Sequence, residues 1–235
     1  MEQISKEELA ELKGQGFILM KDREHFTCRV VYPAGIATAG DLVNTARLAE
    51  EYAWGRVVMT VRLNAEIPGI PYENIAPMKE AMERYNLIYG GTGPKVRPIV
   101  ACKGTVCRFG MVDTHKLCLE LHRQFFAMPL HHKFKINISG CNNNCAKAQL
   151  NDLAFMGAPG GQLRVFIGGR YGRECIIGEE ICKIPQEKAA PLTAACTGFY
   201  LAHGKPKQRF GDLLTAMKDT PEHNAFLRQL NAFGE

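Results

Sequence analysis

Four cysteines in two close pairs constrain this chain more than any other feature. Cys102 and Cys107 enclose four residues, Cys141 and Cys145 enclose three, and thirty-three residues separate the two pairs. That separation is long enough for a helix and a strand to carry the chain away and return it, so both pairs can meet at one centre. A site with four thiolate ligands is the natural interpretation.

Two kinds of metal centre compete for such a site. Structural zinc is usually held by tight Cys-x2-Cys turns, whereas the larger body of a cubane iron–sulfur cluster tolerates wider spacings. The spacings found here therefore favour a cluster over zinc. The other cysteines are odd in number, which argues against a disulfide framework, and we expect them to be small buried residues in a reducing compartment. They are Cys28, Cys118, Cys175, Cys182 and Cys196.

Composition argues against several classes of protein. The 235 residues carry a formal net charge of +5 without a basic arm or stripe, so a nucleic-acid-binding protein is not indicated. No apolar run approaches the roughly 20 residues needed to span a bilayer, and the charged start at residues 6–11 lacks the apolar core of a signal peptide. We therefore expect a cytoplasmic protein with a small anionic ligand, no nucleic acid and no membrane partner.

A basic strand is predicted between the two cysteine pairs. In residues 133–138 apolar side chains alternate with Lys133, Lys135 and Asn137, which places two ammonium groups on one face of a strand. Neighbouring like charges repel, and a bound oxyanion would reverse the sign of that interaction. The alternative is an exposed edge strand whose lysines discourage aggregation.

The remaining pattern predicts a mixture of helices and strands. Residues 57–67 alternate as one strand, with Val57, Met59, Val61 and Leu63 on its apolar face and Arg62 opposite. Predicted helices cover residues 5–12, 41–54 (capped by Asp41, with Leu42, Ala46, Ala49 and Ala53 buried), 76–87, 113–126, 189–203, 209–218 and the segment after Thr220. A further helix is predicted over residues 146–157, with its N-terminus facing the cluster. His115 and His122, two helical turns apart, are too distant to bind one ion and are expected at the surface.

At the cysteine motifs the sequence resembles a known family. Residues 96–110 and 132–148, which hold both cysteine pairs and the Lys-x-Lys pattern, resemble the sirohaem and iron–sulfur domain of nitrite and sulfite reductases. The first cysteine pair of that family usually encloses five residues, one more than here. Thr60-Val-Arg62 also resembles the Thr-x-Arg segment that ends the ferredoxin-like half domain of the family. The resemblance covers nearly the whole chain from about residue 15, in one copy where larger members hold two.

The resemblance implies a fold and a reaction. The fold is α+β, with a ferredoxin-like half domain in residues 1–68, a linker and helix in residues 69–95, and an α/β sirohaem and iron–sulfur cluster domain in residues 96–235. The reaction is the six-electron reduction of sulfite to sulfide at a sirohaem coupled to a [4Fe-4S] cluster. Nitrite reduction to ammonia on the same site is one alternative, and a non-catalytic iron–sulfur electron-transfer subunit is another.

The resemblance also implies partners and residue roles. No flavin or nicotinamide motif is present, so we expect a ferredoxin-like electron donor. Because the chain holds one copy, a homodimer would restore the paired arrangement of the larger members, with the active sites shared between protomers. The alternative is a monomer whose basic residues lie over its own cluster, which the nearness of Lys135 to Cys141 in the sequence permits. The implied residues are Cys102, Cys107, Cys141 and Cys145 for the cluster, Cys145 also for the sirohaem iron, Arg62, Arg97, Lys133 and Lys135 for the substrate anion, and Arg170 and Arg173 for the sirohaem carboxylates.

Overall fold

The computed structural model describes residues 4–234, which divide into two compact units at the Gly93–Pro94 junction. Each unit is built around its own five-stranded sheet. Within the described residues, none of the helices is long and apolar enough to cross a membrane.

The first unit combines an antiparallel sheet with three helices. Its sheet has the order β1-β2-β4-β3, and β5 also pairs with β2. Leu48, Ile67 and Met82, from a helix, a strand and a second helix, are fully buried in one apolar core. The elements are α1 (Lys6–Gly14), β1 (Phe17–Leu19), β2 (His25–Val31), α2 (Ala39–Tyr52), β3 (Val58–Met59), β4 (Ala65–Pro71), α3 (Ile75–Arg84) and β5 (Ile88–Tyr89).

The first unit extends further than the sequence predicts. Strand β4 runs across the expected boundary at residue 68, so Pro68 and Pro71 lie in a strand rather than in a linker. Helix α3 then buries Ile75 and Met78 in the same core as the sheet. Residues 69–93 belong with the first unit because they complete its apolar core.

Helix α2 begins earlier than predicted, and the face that packs against the core differs from the predicted one. Thr38 is its N-cap, and the Thr38 hydroxyl accepts a hydrogen bond from Asp41 N at 3.1 Å while Asp41 Oδ2 accepts one from Thr38 N at 2.8 Å. Asp41 is therefore the third residue of a capping box and not the cap itself. The predicted buried stripe is wrong for Leu42 and Ala46, which are exposed. Ala49 is buried and Ala53 packs against the core, as predicted, and Leu48 is buried as well.

The predicted strand over residues 57–67 is a hairpin. Strands β3 and β4 pair antiparallel, and a turn joins them in which Thr60 N donates to Asn64 O at 2.8 Å and Leu63 N donates to Thr60 O at 3.1 Å. The predicted apolar face is consequently exposed, with Val61 100% and Met59 63% accessible. Alternation alone does not distinguish one long strand from two short strands joined by a turn.

The second unit is built on a mixed sheet of order β10-β9-β8-β7-β6. Strands β6, β7 and β8 are parallel, and β9 and β10 join them antiparallel. Strand β7 is therefore a central strand, paired on both sides. The elements are β6 (Val100–Ala101), α4 (Thr114–Phe125), β7 (Ile136–Ser139), β8 (Leu153–Gly157), β9 (Leu163–Ile167), β10 (Glu179–Ile184), α5 (Ala189–His203), α6 (Phe210–Ala216) and α7 (Pro221–Asn231).

The helices of the second unit lie where they were predicted. The side chains of Asp113 and Thr220 cap α4 and α7 by accepting hydrogen bonds from main-chain N–H groups at 2.9 and 3.2 Å. The surface prediction for His122 is wrong. Its ring is buried on α4 and stacks on Phe126 with the ring centroids 4.2 Å apart. Burial lowers the pKa of His122 to about 4.

The helix predicted after Cys145 is wrong. Asn144 and Lys147 have φ values of 51° and 58°, which interrupt a helix, and only a three-residue 3-10 turn follows at Ala148–Leu150. Residues 153–157 then form β8, in which every residue is buried. A continuous apolar run of this length suits a strand covered on both faces as well as a buried helix, and period alone does not separate them. The expected helix dipole at the cysteines is therefore absent from the described residues.

The cysteines outside the two pairs are not all buried. Cys28, Cys118 and Cys196 are buried, as predicted for small apolar residues. Cys182 is partly buried and Cys175 is exposed, so the prediction of a buried set is wrong for Cys175.

Candidate active site

The two cysteine pairs follow neighbouring parallel strands. Cys102 comes directly after β6, and Cys141 follows β7 after a single glycine. Cys102 N donates to Ile138 O at 3.0 Å, so the hydrogen-bonded ladder of β6 and β7 continues as far as the first cysteine. Both pairs therefore begin at the same end of this ladder, which we call the thiol end and define by Cys102, Cys107, Cys141 and Cys145.

Glycines allow the two cysteine loops to approach closely. A Cβ atom at Gly140 would lie 2.9 Å from Gly104 Cα and 3.4 Å from Cys102 Sγ, and one at Gly157 would lie 2.4 Å from Gly140 O. Gly140 N donates to Cys102 Sγ at 3.1 Å. The close approach thus places a donor from the second loop on a sulfur of the first.

The thiol end offers the set of ligands that an iron–sulfur cluster takes, four thiols. Cys102, Cys107 and Cys141 are partly buried, and Cys145 is exposed. A four-iron cluster spreads its four thiolates over a larger body, so the sulfurs need not converge on one point. Four thiols on two packed loops meet that requirement.

The opposite end of the same two strands carries the basic residues. Arg97 precedes β6, while Lys133 and Lys135 precede β7. Arg97 N donates to Phe134 O at 2.8 Å and Phe134 N donates to Lys95 O at 3.1 Å, so the two segments are already paired there. We call this region the basic end, defined by Arg97, Lys133 and Lys135. The edge-strand alternative for the lysines is wrong, because β7 is flanked by β6 and β8.

The predicted alternation along residues 133–138 is confirmed. Phe134, Ile136 and Ile138 are fully buried, and the two lysines are partly exposed. Asn137, on the lysine side of the alternation, is buried, and its Nδ2 donates to Ala146 O at 2.8 Å. This hydrogen bond ties the loop that follows Cys145 to the strand that carries the lysines.

Positive charge is concentrated at the basic end. Burial lowers the pKa of Lys133, and the charges of Arg209 and Arg97 lower it further. The pKa of His132 is lowered in the same way, first by burial and then by Lys133, Arg209 and Arg97. Cations that depress each other's protonation are stabilised by an anion between them. The basic end is thus suited to a small oxyanion.

The sequence did not predict a buried ion pair beside the basic end. The Asp152 side chain is fully buried, and Arg209 Nη2 lies 2.9 and 2.7 Å from its two carboxylate oxygens. Asp152 Oδ2 also accepts a hydrogen bond from Lys135 N at 2.9 Å. The available signal was an aspartate directly before the apolar run of β8, because a carboxylate carried into the core needs a cationic partner.

The other predicted site residues lie elsewhere in the fold. Arg170 and Arg173 belong to the loop between β9 and β10, where Arg170 forms ion pairs with Asp212 and Glu174 and Arg173 is exposed. The charge of Arg170 is already balanced by two carboxylates, which weakens its predicted role toward sirohaem. Arg62 lies in the β3–β4 turn of the first unit rather than in a strand.

Comparison with known proteins agrees with the sequence motifs. Residues 92–218 match the family model of the nitrite and sulphite reductase 4Fe-4S domain, and residues 18–85 match that of the nitrite/sulfite reductase ferredoxin-like half domain. The coenzyme F420-dependent sulfite reductase of Methanocaldococcus jannaschii is 32% identical over 126 residues, which cover 53% of this chain and 20% of the relative. The ferredoxin–nitrite reductase of Synechococcus elongatus is 30% identical over 157 residues, which cover 63% of this chain and 30% of the relative. This chain matches less than a third of either relative's length.

A solved structure confirms the predicted α+β fold. The NirA protein of Mycobacterium tuberculosis matches with a TM-score of 0.83 at 19% sequence identity, covering 96% of this chain and 47% of that chain. The predicted order of a ferredoxin-like half domain followed by a cluster domain agrees with the two family models. The family model and the relatives together point to a [4Fe-4S] cluster and a sirohaem as cofactors.

Proposed function

This chain belongs to the nitrite and sulphite reductase family, and from that premise we propose that it reduces sulfite to sulfide at a sirohaem coupled to a [4Fe-4S] cluster. The observation that carries the proposal is the ladder of β6 and β7, which has four thiols at one end and three cations at the other. Neither the thiols nor the cations alone account for a reductase, since thiolates hold an electron carrier and cations hold an oxyanion.

The thiol end would hold the cluster, and Cys145 would also serve the sirohaem iron. The exposure of the Cys145 side chain supports this second role, because a bridging sulfur needs an open side. When bound, the two groups supply the electrons and the iron at which the substrate is reduced. The Gly140 N–H would remain hydrogen-bonded to Cys102 Sγ and orient that ligand.

The basic end would bind the substrate oxygens. Lys133, Lys135 and Arg97 offer charge-assisted hydrogen bonds to them. The role of Arg62 toward the anion stays a prediction of the family resemblance. Reduction of hydrogen sulfite to the hydrogen sulfide ion takes up six electrons and six protons and releases three molecules of water. A lysine with a lowered pKa is a stronger acid, so Lys133 is suited to protonate a departing oxygen, while the others stabilise the charge that develops on it.

Nitrite reduction to ammonia is the second candidate, and the nitrite reductase among the relatives favours it. Two ammonium groups on one strand favour sulfite, which carries more negative charge than nitrite near neutral pH. We therefore assign sulfite as the preferred substrate. We further assign a ferredoxin-like protein as the electron donor.

We also propose that the active site is shared across a homodimer. Lys135 and Cys141 lie beyond opposite ends of β7, whose four residues at about 3.3 Å each span about 13 Å. A single small anion cannot touch both ends of the ladder. Each site would then combine the thiol end of one protomer with the basic end of its partner, as twofold symmetry allows.

The spectrum of anaerobically purified protein tests the cofactors. A red absorption band typical of a chlorin, together with iron and acid-labile sulfide, is expected. Broad charge-transfer absorption alone would indicate an electron-transfer subunit without sirohaem, and colourless protein would indicate zinc. Turnover with sulfite and nitrite in parallel then tests the assigned substrate, and a higher kcat/KM for nitrite would overturn it.

A further inference from the structure

The ion pair of Asp152 and Arg209 is the most deeply buried one in the described residues, with side-chain exposures of 0% and 10%. Burying two charges removes both from water, and the attraction between them often does no more than offset that cost. A buried pair is therefore weak evidence of stabilisation by itself. Its contacts give a more specific reason for its presence.

We propose that Asp152 and Arg209 are positioning residues of the basic end, where the pair fixes the main chain of Lys135 and places a further cation beside Lys133. The inference rests on the proposed oxyanion site. It concerns residues that act through the lysines rather than by touching the substrate.

The first step is the hold on Lys135. Asp152 Oδ2 accepts from Lys135 N at 2.9 Å, and the next residue, Leu153, donates its N–H to Lys135 O at 3.2 Å. Both main-chain polar groups of Lys135 are thus fixed by consecutive residues at the start of β8. The main chain of Lys135 is therefore held in place where its side chain begins. A precise binding site requires positions fixed in this way.

The second step is the charge of Arg209. The contacts between Arg209 and Asp152 use one terminal nitrogen, Nη2, for both carboxylate oxygens. Arg209 Nε is buried without a hydrogen-bond partner among the described residues. After burial, Arg209 is the largest cause of the lowered pKa of Lys133, ahead of Arg97. The guanidinium is thus electrostatically coupled to the ammonium that would bind the anion.

The third step is the anchoring of Arg209 itself. Arg209 is the N-cap of α6, and its carbonyl accepts from Leu213 N at 3.0 Å. The buried Tyr200 hydroxyl donates to the carbonyl of the preceding residue, Gln208. Lys207 N donates to His131 O at 3.1 Å. The segment that carries Arg209 is therefore fixed directly against the segment that begins the basic end.

Three variants separate positioning from simple structural support: Arg209→Gln, Asp152→Asn and the double variant. Each single change leaves one buried charge unpaired, so both should lower Tm, whereas the double variant removes both charges and should recover most of it. The affinity of the holoprotein for sulfite should instead depend on whether the positive charge of Arg209 is present. The sulfite Kd should rise about tenfold in Arg209→Gln and in the double variant, and it should stay within about twofold of wild type in Asp152→Asn, whose amide oxygen still accepts from Lys135 N.

The pH dependence gives a second readout. The double variant loses Arg209, which lowers the pKa of Lys133, and Asp152, which raises it by a smaller amount, while Arg97 still acts on it, so the pKa of Lys133 rises on balance. The alkaline loss of sulfite affinity should therefore begin at higher pH in the double variant than in wild type. If the ion pair only stabilised the fold, a variant with recovered Tm would lose its affinity for sulfite at the same alkaline pH as wild type.

The ion pair of Arg29 and Glu66 in the first unit is the matched control. It joins β2 to β4, with Arg29 Nη2 2.6 Å from Glu66 Oε1, and both side chains are about one-fifth exposed. Arg29→Gln with Glu66→Gln should leave the sulfite Kd unchanged.

Binding is measured by titration calorimetry with sulfite, and with sulfate as a non-reducible probe, so the result does not depend on turnover. If wild-type protein binds both anions but reduces neither sulfite nor nitrite, the proposed function fails and the positioning inference stands. A double variant in which both Tm and the sulfite Kd return to wild type would overturn the inference. A double variant that loses its affinity for sulfite at the same alkaline pH as wild type would also overturn it.

Discussion

The two ends of the β6–β7 ladder are built in different ways. At the basic end the main chain is fixed by the protein's own contacts: a buried carboxylate holds Lys135 N, and Arg97 N and Phe134 O are paired across the ladder. At the thiol end the chain runs through loops in which Asn144 and Lys147 adopt positive φ, and the loops approach each other only because they carry glycines.

This difference indicates what each end requires. The basic end is complete in its protein contacts and offers a ready site for an anion. The thiol end is held by short turns rather than by sheet pairing, as where Cys107 N donates to Gly104 O and Asn144 N donates to Cys141 O, both at 3.1 Å. A metal centre bound by four thiolates would cross-link its two loops, because metal binding to such ligands contributes directly to folding. Perturbations of the metal centre should therefore act on the thiol end and leave the basic end intact.

The largest effect is expected from Cys145→Ser. The change removes one of four cluster ligands and the assigned bridge to the sirohaem iron, so sulfite turnover should be lost and the iron and acid-labile sulfide contents should fall. Amide hydrogen exchange should speed up in residues 140–151 and remain slow in residues 133–136. The exposed Cys175 provides a matched control, and Cys175→Ser should keep iron content and turnover. Equal turnover in the two variants would contradict the ligand assignment.

The next largest effect is expected from Lys133→Ala and Lys135→Ala. Each removes a charge-assisted contact in a partly desolvated site, so kcat/KM for sulfite should fall by about tenfold to a thousandfold. Iron content and Tm should be unchanged, because the strand is held through its main chain. Lys116→Ala, an exposed lysine on α4, should have no effect. Full activity in the double lysine variant would show that the basic end does not belong to the active site.

A smaller effect is expected from Gly140→Ala. The new Cβ atom would meet Gly104 Cα at 2.9 Å, and since that atom is backbone the loops must shift. Overpacking of this kind costs about 1–3 kcal/mol, so Tm and iron content should both decrease. Gly198, on the exposed side of α5, has no atom within 4 Å of such a Cβ, and Gly198→Ala should keep both values or raise Tm. A Gly140→Ala protein with normal iron content would show that the close loop approach is not needed for the cluster.

The smallest effect is the pH dependence of anion binding. The charged ammonium of Lys133 is the form that binds the anion, and burial followed by the charges of Arg209 and Arg97 lowers its pKa from 10.5. Sulfite affinity should therefore be lost as pH rises through this lowered pKa, before the ordinary lysine value is reached. The measurement is the sulfite Kd of the holoprotein across the alkaline range. Affinity that is constant up to 10.5 would contradict the electrostatic coupling.

Features set by local chemistry were predictable from the sequence. The start of α7 depends on the Thr220 side chain and its following turn, and the helix begins directly after Thr220 as predicted. The burial of Phe134, Ile136 and Ile138 follows from the period of a strand, whichever strands flank it.

Features set by tertiary contacts were not predictable from local pattern. The run that forms β8 reads equally well as a helix, and its strand character depends on pairing with β7 and β9. The exposure of Val61 follows from a turn that the alternating sequence concealed. The ion pair of Asp152 and Arg209 joins residues 57 positions apart, and no local signal specifies that partner.

Complementation between defective protomers tests the central claim most directly, namely that the two ends of one ladder serve two different active sites. A Cys145→Ser protomer is mixed with a Lys133→Ala, Lys135→Ala protomer under conditions that exchange subunits, and sulfide formation from sulfite is measured. Random pairing makes half of the dimers mixed, and each mixed dimer would hold one intact site of two, so activity should recover to about a quarter of wild type. Activity that stays at the level of the separate variants although mixed dimers form, or a wild-type protein that is active as a monomer, would contradict the account.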